Sequence, residues 1–220
     1  MTVIGITGPT GAGKTTALDV LAEMDFEIVD CDALYYRLLR TDEHLRQALR
    51  EAFGEVFLPD GTLDRRRVAK RVFGNQKELA KLNNLVFPAV SAAVEQKIQK
   101  CSQKGLAIDA INLVESGMGR LCDVTVAVTA PSAIRLKRIM TRDALTGEQA
   151  RARIEAQKPA DWYRENCAFL LENQEADRGA FEVMARTFFK NLMETMNEGE
   201  KCNGSEGMER EAPHGEKERL

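Results

Sequence analysis

The chain has 220 residues, of which 30% are charged and 44% hydrophobic, and it carries a net charge of −3. These values favour one globular domain and exclude fibrous and low-complexity proteins. No apolar run approaches the roughly 20 residues of a membrane span, which excludes an integral membrane protein. The excess of acid lies in residues 197–220, where seven Glu face four Lys or Arg, and the nearly neutral remainder offers no broad basic surface for nucleic acid.

Residues 8–15 read Gly-Pro-Thr-Gly-Ala-Gly-Lys-Thr and match the phosphate-binding pattern G-x-x-x-x-G-K-[ST] in full. The apolar segment Val3–Ile6 before the loop predicts a strand, and the spacing of residues 16–23 after it predicts a helix. Glycines in that setting let backbone N–H groups surround a polyphosphate at the helix N-terminus. We expect Lys14 to reach the β- and γ-phosphates and the Thr15 hydroxyl to bind Mg²⁺; the alternative is a chance glycine-rich turn. The candidate nucleotide-binding residues of this loop are Gly11, Ala12, Gly13, Lys14, Thr15 and Thr16.

A second apolar segment, Phe26–Val29, ends in the sequence Asp30-Cys31-Asp32. Two carboxylates at a strand end that faces a phosphate-binding loop suit proton acceptance from a substrate hydroxyl, or Mg²⁺ binding. The alternative is that one of the two only caps the helix predicted over residues 33–40.

Residues 42–102 contain no convincing strand and predict a helical insertion between the second and third strands. We expect helices over Thr41–Phe53, with Thr41 as the N-cap, over Asp64–Phe73 and over Gln76–Lys100, with a turn at Leu58–Gly61. The second of these helices opens with three arginines, which the helix dipole disfavours. Arg65 is therefore a candidate contact to an anionic substrate, although a solvated charged face is the plainer interpretation.

Three further apolar segments predict strands at Leu106–Ile108, Val124–Val128 and Ala168–Leu171. Asp109 follows the first of them and is similar to the Walker B acid of nucleotide-binding proteins; a strand-terminal turn residue is the alternative. With helices expected over 133–141, 146–157 and 179–196, the alternation predicts an α/β fold: a parallel five-stranded sheet with helices on both faces. Residues 1–196 are predicted to form this domain, and residues 197–220 are predicted to be a disordered or loosely helical tail.

Residues 131–158 hold seven Lys or Arg against three Asp or Glu. Arginines that approach a phosphate-binding loop can stabilise the charge that develops during phosphoryl transfer. We therefore predict a lid over about residues 140–160; the alternative is a solvated helical hairpin.

In the order and spacing of these motifs the chain resembles the dephospho-CoA kinase family, from about Val3 to Asn173. The individual motifs are short, and only the phosphate-binding loop is specific by itself. The matching residues are the loop, Val29 to Asp32, Leu63 to Arg65 with Val72-Phe73, Leu82 to Leu85 with Pro88, Asp109 with Glu115, Arg142-Asp143, Leu145 to Ala150, Arg153-Ile154, Gln157 and Asn173.

The resemblance implies a three-layer P-loop NTPase fold with a helical CoA-binding domain and a lid, and transfer of the ATP γ-phosphate to the ribose 3′-hydroxyl of dephospho-CoA with Mg²⁺. It implies that Asp32 is the base or the group that orients the hydroxyl, that Arg142 and Arg153 are lid arginines at the nucleotide, and that Arg65, with Asp109, belongs to the acceptor side. We expect Lys14 and Arg142 to act with Asp32 in catalysis. The five cysteines are scattered, as reduced thiols would be, and they therefore favour a cytoplasmic protein. We also expect a monomer or weak oligomer that acts on small-molecule substrates.

The chain departs from the family pattern at four places. Pro9-Thr10 replaces a Gly-Ile pair in the loop, Phe87 replaces the histidine of a His-Pro pair, Ile111 replaces the proline of an Asp-x-Pro motif, and Cys167-Ala168 replaces an Ala-Asp pair ahead of the last strand. The nucleotide side therefore matches more closely than the acceptor side. Two alternatives stay open: a P-loop kinase with another small acceptor, such as a nucleotide or nucleoside, and a nucleotide-binding regulator that transfers no phosphate.

Overall fold

A computed structural model describes residues 1–175 and 177–205, with side chains described up to residue 198. Five strands form one parallel sheet in the order β2-β3-β1-β4-β5, so the predicted α/β class is confirmed. The strand next to the phosphate-binding loop is central and is paired on both sides. The strands are β1 Thr2–Thr7, β2 Phe26–Asp30, β3 Gly105–Asp109, β4 Val124–Thr129 and β5 Phe169–Glu172.

Helices connect the strands and cover both faces of the sheet. A short 3-10 helix, Met118–Leu121, precedes β4, and none of the described helices has the length and apolarity of a membrane span. The α-helices are α1 Lys14–Glu23, α2 Cys31–Thr41, α3 Glu43–Phe53, α4 Arg65–Val72, α5 Gln76–Lys100, α6 Ser132–Asp143, α7 Gly147–Glu155, α8 Ala160–Asn166 and α9 Arg178–Ser205.

Alternate residues of the strands supply two hydrophobic layers. One layer joins side chains such as Ile108 to α2, α3 and α5, while the other joins Ile4 and Ile6 to α1 and α9. This alternation follows from the strand period of two, and it gives the three layers that the resemblance implied.

The carboxyl ends of the strands meet at one edge of the sheet. In the β1–β3 register Ile6 lies opposite Asp109, and in the β2–β3 register Asp30 lies opposite Asp109. The loop after β1 and the acids after β2 and β3 therefore share the edge at which parallel α/β sheets bind ligands.

Several predicted boundaries differ from those of the structure. Thr41 is not the N-cap of α3: it ends α2, where its hydroxyl donates to the Arg37 carbonyl at 3.0 Å, and Asp42 caps α3 by accepting from the Leu45 N–H at 3.0 Å. The short helix α8 was not predicted. Helix α9 continues to Ser205, so the predicted tail begins inside a helix, and residues 206–220 lie outside the described residues.

Candidate active site

The backbone of the phosphate-binding loop has a shape that depends on glycine. Gly8, with φ of 132°, lies so close to β4 that an added Cβ would be 2.0 Å from the Val128 carbonyl oxygen. Gly13, with φ of 112°, precedes α1, and a Cβ there would be 2.5 Å from the Asn173 side-chain nitrogen. The pattern's first and last glycines are therefore required by positive φ and by close packing.

Side chains from α6 and from the residue after β5 bind the loop through its carbonyl oxygens. Arg138 donates to the carbonyls of Gly11 and Ala12 at 3.1 and 3.2 Å, and the Asn173 amide donates to Ala12 at 2.9 Å. Arg135, only 6% exposed, donates to the Thr10 carbonyl at 3.0 Å. While these side chains bind the carbonyls, loop N–H groups that bond to no other described residue, such as those of Gly11 and Gly13, are left for an anion.

Thr10 connects the loop to Gln157, near the end of the segment predicted to be a lid. The Gln157 amide donates to the Thr10 hydroxyl at 2.9 Å, and its oxygen accepts from the Thr10 N–H at 3.2 Å and from Arg135. Thr10 is one of the two loop residues that depart from the family pattern, so this connection uses the substituted side chain.

Lys14 lies near two acids at the sheet edge, Asp109 at the end of β3 and Asp32 in the first turn of α2. Its ammonium donates to the Gly8 carbonyl at 3.0 Å. Burial lowers the pKa of Lys14, and the negative charges of Asp109 and Asp32 oppose that shift. Burial also raises the pKa of Asp109, which Lys14 opposes. Lys14, Asp32 and Asp109 are therefore close enough to interact electrostatically.

A cavity of about 920 Å³ opens above the loop. Its wall includes all loop residues from Pro9 to Thr16, and the remaining lining is rich in cations from three helices. Such a lining suits a polyphosphate. The cations other than Lys14 are Lys137, Arg138, Arg142, Arg153 and Arg178.

The two lid arginines share one carboxylate. Arg142 binds Asp143 through two hydrogen bonds of 2.7 and 2.9 Å, and Arg153 binds the same carboxylate at 2.6 Å. These bonds lower the pKa of Asp143. Asp143 thus joins the end of α6 to α7 and holds both guanidinium groups at the cavity wall.

The structure separates the two acids that follow β2. Asp30 caps α2 by accepting from the Ala33 N–H at 2.9 Å, as the capping alternative predicted for one of the pair. Asp32 lies in the first turn of α2, is exposed, and lines a second cavity. Between them Cys31 is buried, and burial with the nearby Asp109 raises its pKa to about 12, so this thiol is not poised as a nucleophile.

The second cavity, of about 260 Å³, lies between α2, α5 and the segment after β3. Ile111 lines both this cavity and the larger one, so the two meet there. Arg65 stacks on the Tyr36 ring at 4.1 Å, beside the second cavity. Two substrate-sized spaces thus adjoin at the sheet edge, with Asp32 at the wall of the second.

A family model described as "CoaE: Dephospho-CoA kinase" matches residues 2–178. A dephospho-CoA kinase of Dehalococcoides mccartyi is 36% identical over 161 residues, which cover 71% of this chain and 81% of that protein. The chain belongs to the dephospho-CoA kinase family. The resemblance predicted from its sequence is thereby confirmed, and with it membership of the ATP-dependent kinases.

Solved structures agree with this assignment. A Thermus thermophilus protein has a TM-score of 0.72 at 30% identity, covering 88% of this chain and 97% of its own. The dephospho-CoA kinase from Campylobacter jejuni has a TM-score of 0.63 at 20% identity, covering 86% and 96%. At that identity the second match supports the fold alone.

Within this family member, the predicted site residues fall into two groups. The loop, Arg142 and Arg153 line the larger cavity, and Asp32 lines the smaller one. Asp109 is the last residue of β3. Arg65 lines neither of these two cavities and contacts the smaller one only through Tyr36.

Sequence reasoning missed the supporting contacts. The i, i+4 spacing of Arg138 and Arg142 predicts one helical face in the basic segment, but neither Arg135 nor Arg138 was assigned to the loop, and Arg178 of α9 was not considered. The position of Arg135, three residues before Arg138, was the remaining signal, because it places Arg135 on the same face.

Proposed function

We propose that this family member transfers the γ-phosphate of ATP to the ribose 3′-hydroxyl of dephospho-CoA, giving coenzyme A and ADP. The observation that carries the proposal is the meeting of two cavities at Ile111, one lined by the phosphate-binding loop and the other by Asp32. A donor bound in the first and an acceptor bound in the second would place their reacting groups near the shared wall, as phosphoryl transfer requires.

ATP is assigned to the larger cavity. The N–H groups of the loop, chiefly those of Gly11, Ala12, Gly13 and Thr16, would bind the phosphate oxygens, with Lys14 at the β- and γ-phosphates. Burial supports this role, because a partly desolvated ammonium gains more from a phosphate than a hydrated one does. Arg142 and Arg153 would stabilise charge on the transferred group from the lid side.

The donor set at the loop fits a magnesium ion that arrives with the nucleotide. Among the described residues, no group of three or more His, Cys, Asp or Glu could hold a metal. Mg²⁺ usually binds through one or two protein groups together with substrate phosphates, and the exposed Thr15 hydroxyl at the start of α1 is such a group. When bound, the ion neutralises negative charge on the phosphates.

Asp32 is proposed as the general base. The acceptor oxygen forms its bond to the γ-phosphorus, the bond from that phosphorus to the β,γ-bridging oxygen breaks, and the hydroxyl proton passes to the Asp32 carboxylate. Unlike Asp30, Asp32 caps no helix, so its oxygens are available. Arg65 is proposed to bind the acceptor's diphosphate, and Asp109 to help position Lys14 and the acceptor.

The first prediction compares the two neighbouring acids. Asp32→Asn removes the base and keeps the size of the side chain, so kcat with dephospho-CoA should fall by about 10²–10⁴-fold, with KM for ATP unchanged. Asp30→Asn is the matched control, because asparagine caps helices as well as aspartate does; its kcat should stay at the wild-type value. Steady-state kinetics with both substrates measures these values.

Two results would count against the proposal. If wild-type protein binds ATP but does not phosphorylate dephospho-CoA at saturating concentrations of both substrates, the proposed reaction is wrong. Equal kcat in Asp32→Asn and wild type would remove Asp32 from its role and leave the reaction standing.

We also propose that the enzyme acts in the cytoplasm on small molecules, as a monomer or weak oligomer. Support comes from the free thiols of Cys31, Cys101, Cys122 and Cys167, which persist in a reducing compartment.

A further inference from the structure

Thr10 binds two residues that lie outside the phosphate-binding loop. The Gln157 amide donates to the Thr10 hydroxyl at 2.9 Å, and the Gln157 oxygen accepts from the Thr10 N–H at 3.2 Å. Arg135 donates to the Thr10 carbonyl at 3.0 Å and also to the Gln157 oxygen, which closes a ring of contacts. Because Thr10 is only 9% exposed, little water competes for these hydrogen bonds.

The ring of contacts joins the loop to the C-terminal end of α7. Gln157 follows that helix by two residues, and its N–H donates to the Ile154 carbonyl at 3.2 Å. The backbone of Gln157 is therefore fixed to the last turn of α7. Through its side chain, the end of the helix is bound to Thr10.

Arg153 lies in the same last turn of α7, four residues before Gln157. Its side chain is 48% exposed, lines the larger cavity and pairs with the Asp143 carboxylate at 2.6 Å. A half-exposed ion pair does little to fix a long side chain. The position of the Arg153 guanidinium in the cavity wall therefore depends on where the backbone of α7 lies relative to the loop, and Gln157 binds the two together.

We propose that Thr10 and Gln157 are a positioning pair for Arg153. The inference rests on the proposed function, which places Arg153 at the transferred phosphate. The residue after Thr10 is Gly11, whose N–H is left for an anion. The pair thus sets the spacing between a phosphate-binding N–H of the loop and a guanidinium of α7 before ATP arrives. Groups placed in advance need no reorganisation when charge develops on the γ-phosphate.

The hydroxyl bond depends on a side chain that departs from the family pattern. That pattern has isoleucine at the position of Thr10, and isoleucine has no hydroxyl, although its N–H can still donate to a glutamine oxygen. Removing the hydroxyl therefore removes one contact to Gln157 and leaves the two backbone contacts of position 10 in place. A change of this size weakens the pair without breaking up the loop.

The test replaces Thr10 by valine in the full chain, since valine keeps the shape of threonine and lacks the hydroxyl. With saturating ATP and dephospho-CoA, kcat should fall about three- to tenfold, the value of one hydrogen bond. KM for ATP should change by less than about twofold, because Arg153 acts on the transferred group and not on nucleotide binding. Thr10→Ser, which keeps the hydroxyl, should restore kcat.

Thr195→Val is the matched control. It makes the same chemical change in α9, where the Thr195 hydroxyl donates to the Asn191 carbonyl at 3.0 Å, and it should leave kcat and KM for ATP at their wild-type values. If Thr10→Val does not fold, Thr10→Ala replaces it, because alanine removes the same hydroxyl and adds no volume.

A double variant decides whether Thr10 acts through Arg153. When two residues act as a unit, the second loss costs little once the first has occurred. Thr10→Val should therefore lower kcat in the wild-type background and leave kcat unchanged in the Arg153→Ala background; single-turnover measurements with excess enzyme reach slow rates. An equal fall in both backgrounds, or a raised KM for ATP with unchanged kcat, would overturn the inference.

Hydrogen exchange of the nucleotide-free protein gives a readout that needs no turnover. Thr10→Val should make exchange faster in the last turn of α7, and Thr195→Val should not. Unchanged exchange there would overturn the inference while wild-type turnover of dephospho-CoA left the proposed function intact. If wild-type protein does not phosphorylate dephospho-CoA, the proposed function is wrong, and the exchange result alone decides whether the pair holds α7.

Discussion

At the scale of single residues, the planar guanidinium of Arg138 binds several acceptors at once. Its guanidinium donates to the carbonyls of Gly11, Ala12 and Glu175 and, at 3.4 Å, to the Asn173 side chain. Two nitrogens of one rigid fork thus join the phosphate-binding loop to the segment after β5. A lysine ammonium is a single point of donation and cannot span these acceptors.

Arg138→Lys should therefore weaken the loop before any nucleotide is bound. Each hydrogen bond contributes about 0.5–1.5 kcal/mol, so we expect a lower melting temperature of the nucleotide-free protein and at least a tenfold higher KM for ATP. Arg151→Lys is the matched control, since Arg151 is an exposed residue of α7; it should leave both values unchanged. A raised KM with an unaltered melting temperature would mean that Arg138 acts only on the nucleotide.

At the scale of elements, the junction of α6 and α7 depends on a single acid. Asp143 ends α6, Ala144 follows with φ of 51°, and Thr146 caps α7 in a capping box with Gln149. Across this tight turn, Asp143 binds the guanidinium of Arg153 in α7, and the same carboxylate also binds its neighbour Arg142 within α6. One ion pair at this carboxylate thus joins α7 to α6.

Asp143→Asn should loosen α7 without unfolding the core, because the amide cannot replace two charge-assisted bonds. Hydrogen exchange of the α7 backbone should become faster, while that of β1 stays slow. Asp161→Asn, which breaks the exposed ion pair to Arg164 within α8, is the control and should leave α7 unaffected. Unchanged exchange in α7 after Asp143→Asn would contradict a holding role for this acid.

The pH dependence of this junction has a definite sign. The arginines lower the pKa of Asp143 below its ordinary 3.8, so the folded protein releases this proton more readily than the unfolded chain does. The contribution of the pairs is then fully present above the ordinary value and is lost as pH falls through the lowered pKa. Hydrogen exchange of α7, corrected for its intrinsic rate, should be constant around neutral pH; a change there would assign the titration to another group.

Elements with strong periodic patterns could be predicted from the sequence, and short elements with little buried surface could not. Helix α8 has one buried residue, Tyr163, in seven and begins after Pro159, so hydrophobic periodicity gives almost no signal. Thr41 and Asp42 are both good N-caps, and the choice between them depends on the Thr41 hydroxyl donating to Arg37 inside α2. Such competition is decided by geometry.

Some features of the candidate site could likewise be predicted from the sequence, and others could not. The glycines and Lys14 of the loop follow from chemistry that any polyphosphate demands, and so they could be found in the sequence. The contacts of Arg138 and Asn173 to the loop could not, because they join residues that only the folded sheet brings together. Asp30 and Asp32 look alike in sequence, and only the cap on α2 distinguishes them.

At the scale of the whole molecule, α9 closes one face of the sheet. Four buried apolar residues, spaced for one helical face, pack on the layer that includes α1, and outside them Arg178 pairs with Asp19 at 3.0 Å and Arg186 pairs with Glu23. Exposed pairs of this kind contribute little, so packing is the main contribution. The four residues are Phe181, Ala185, Phe189 and Leu192.

Phe189→Ala should therefore lower the free energy of unfolding by about 3–5 kcal/mol, as expected for a fully buried phenylalanine. Phe73→Ala makes the same chemical change at a side chain that is 90% exposed, and it should change stability by less than about 0.5 kcal/mol. Urea denaturation measures both. Equal losses in the two variants would show that α9 does not carry the predicted share of the core.

The central place of β1 has a consequence for how the chain is made. The loop after β1 leaves the ribosome before β3, β4 and Asn173 do, yet β1 pairs with β3 and β4, and the Ala12 carbonyl is bound by Asn173. Contacts so distant along the chain form late. A growing chain therefore carries the nucleotide-binding motif long before it can hold a nucleotide, and this capacity comes only once the strand before Asn173 has been synthesised and has joined the sheet.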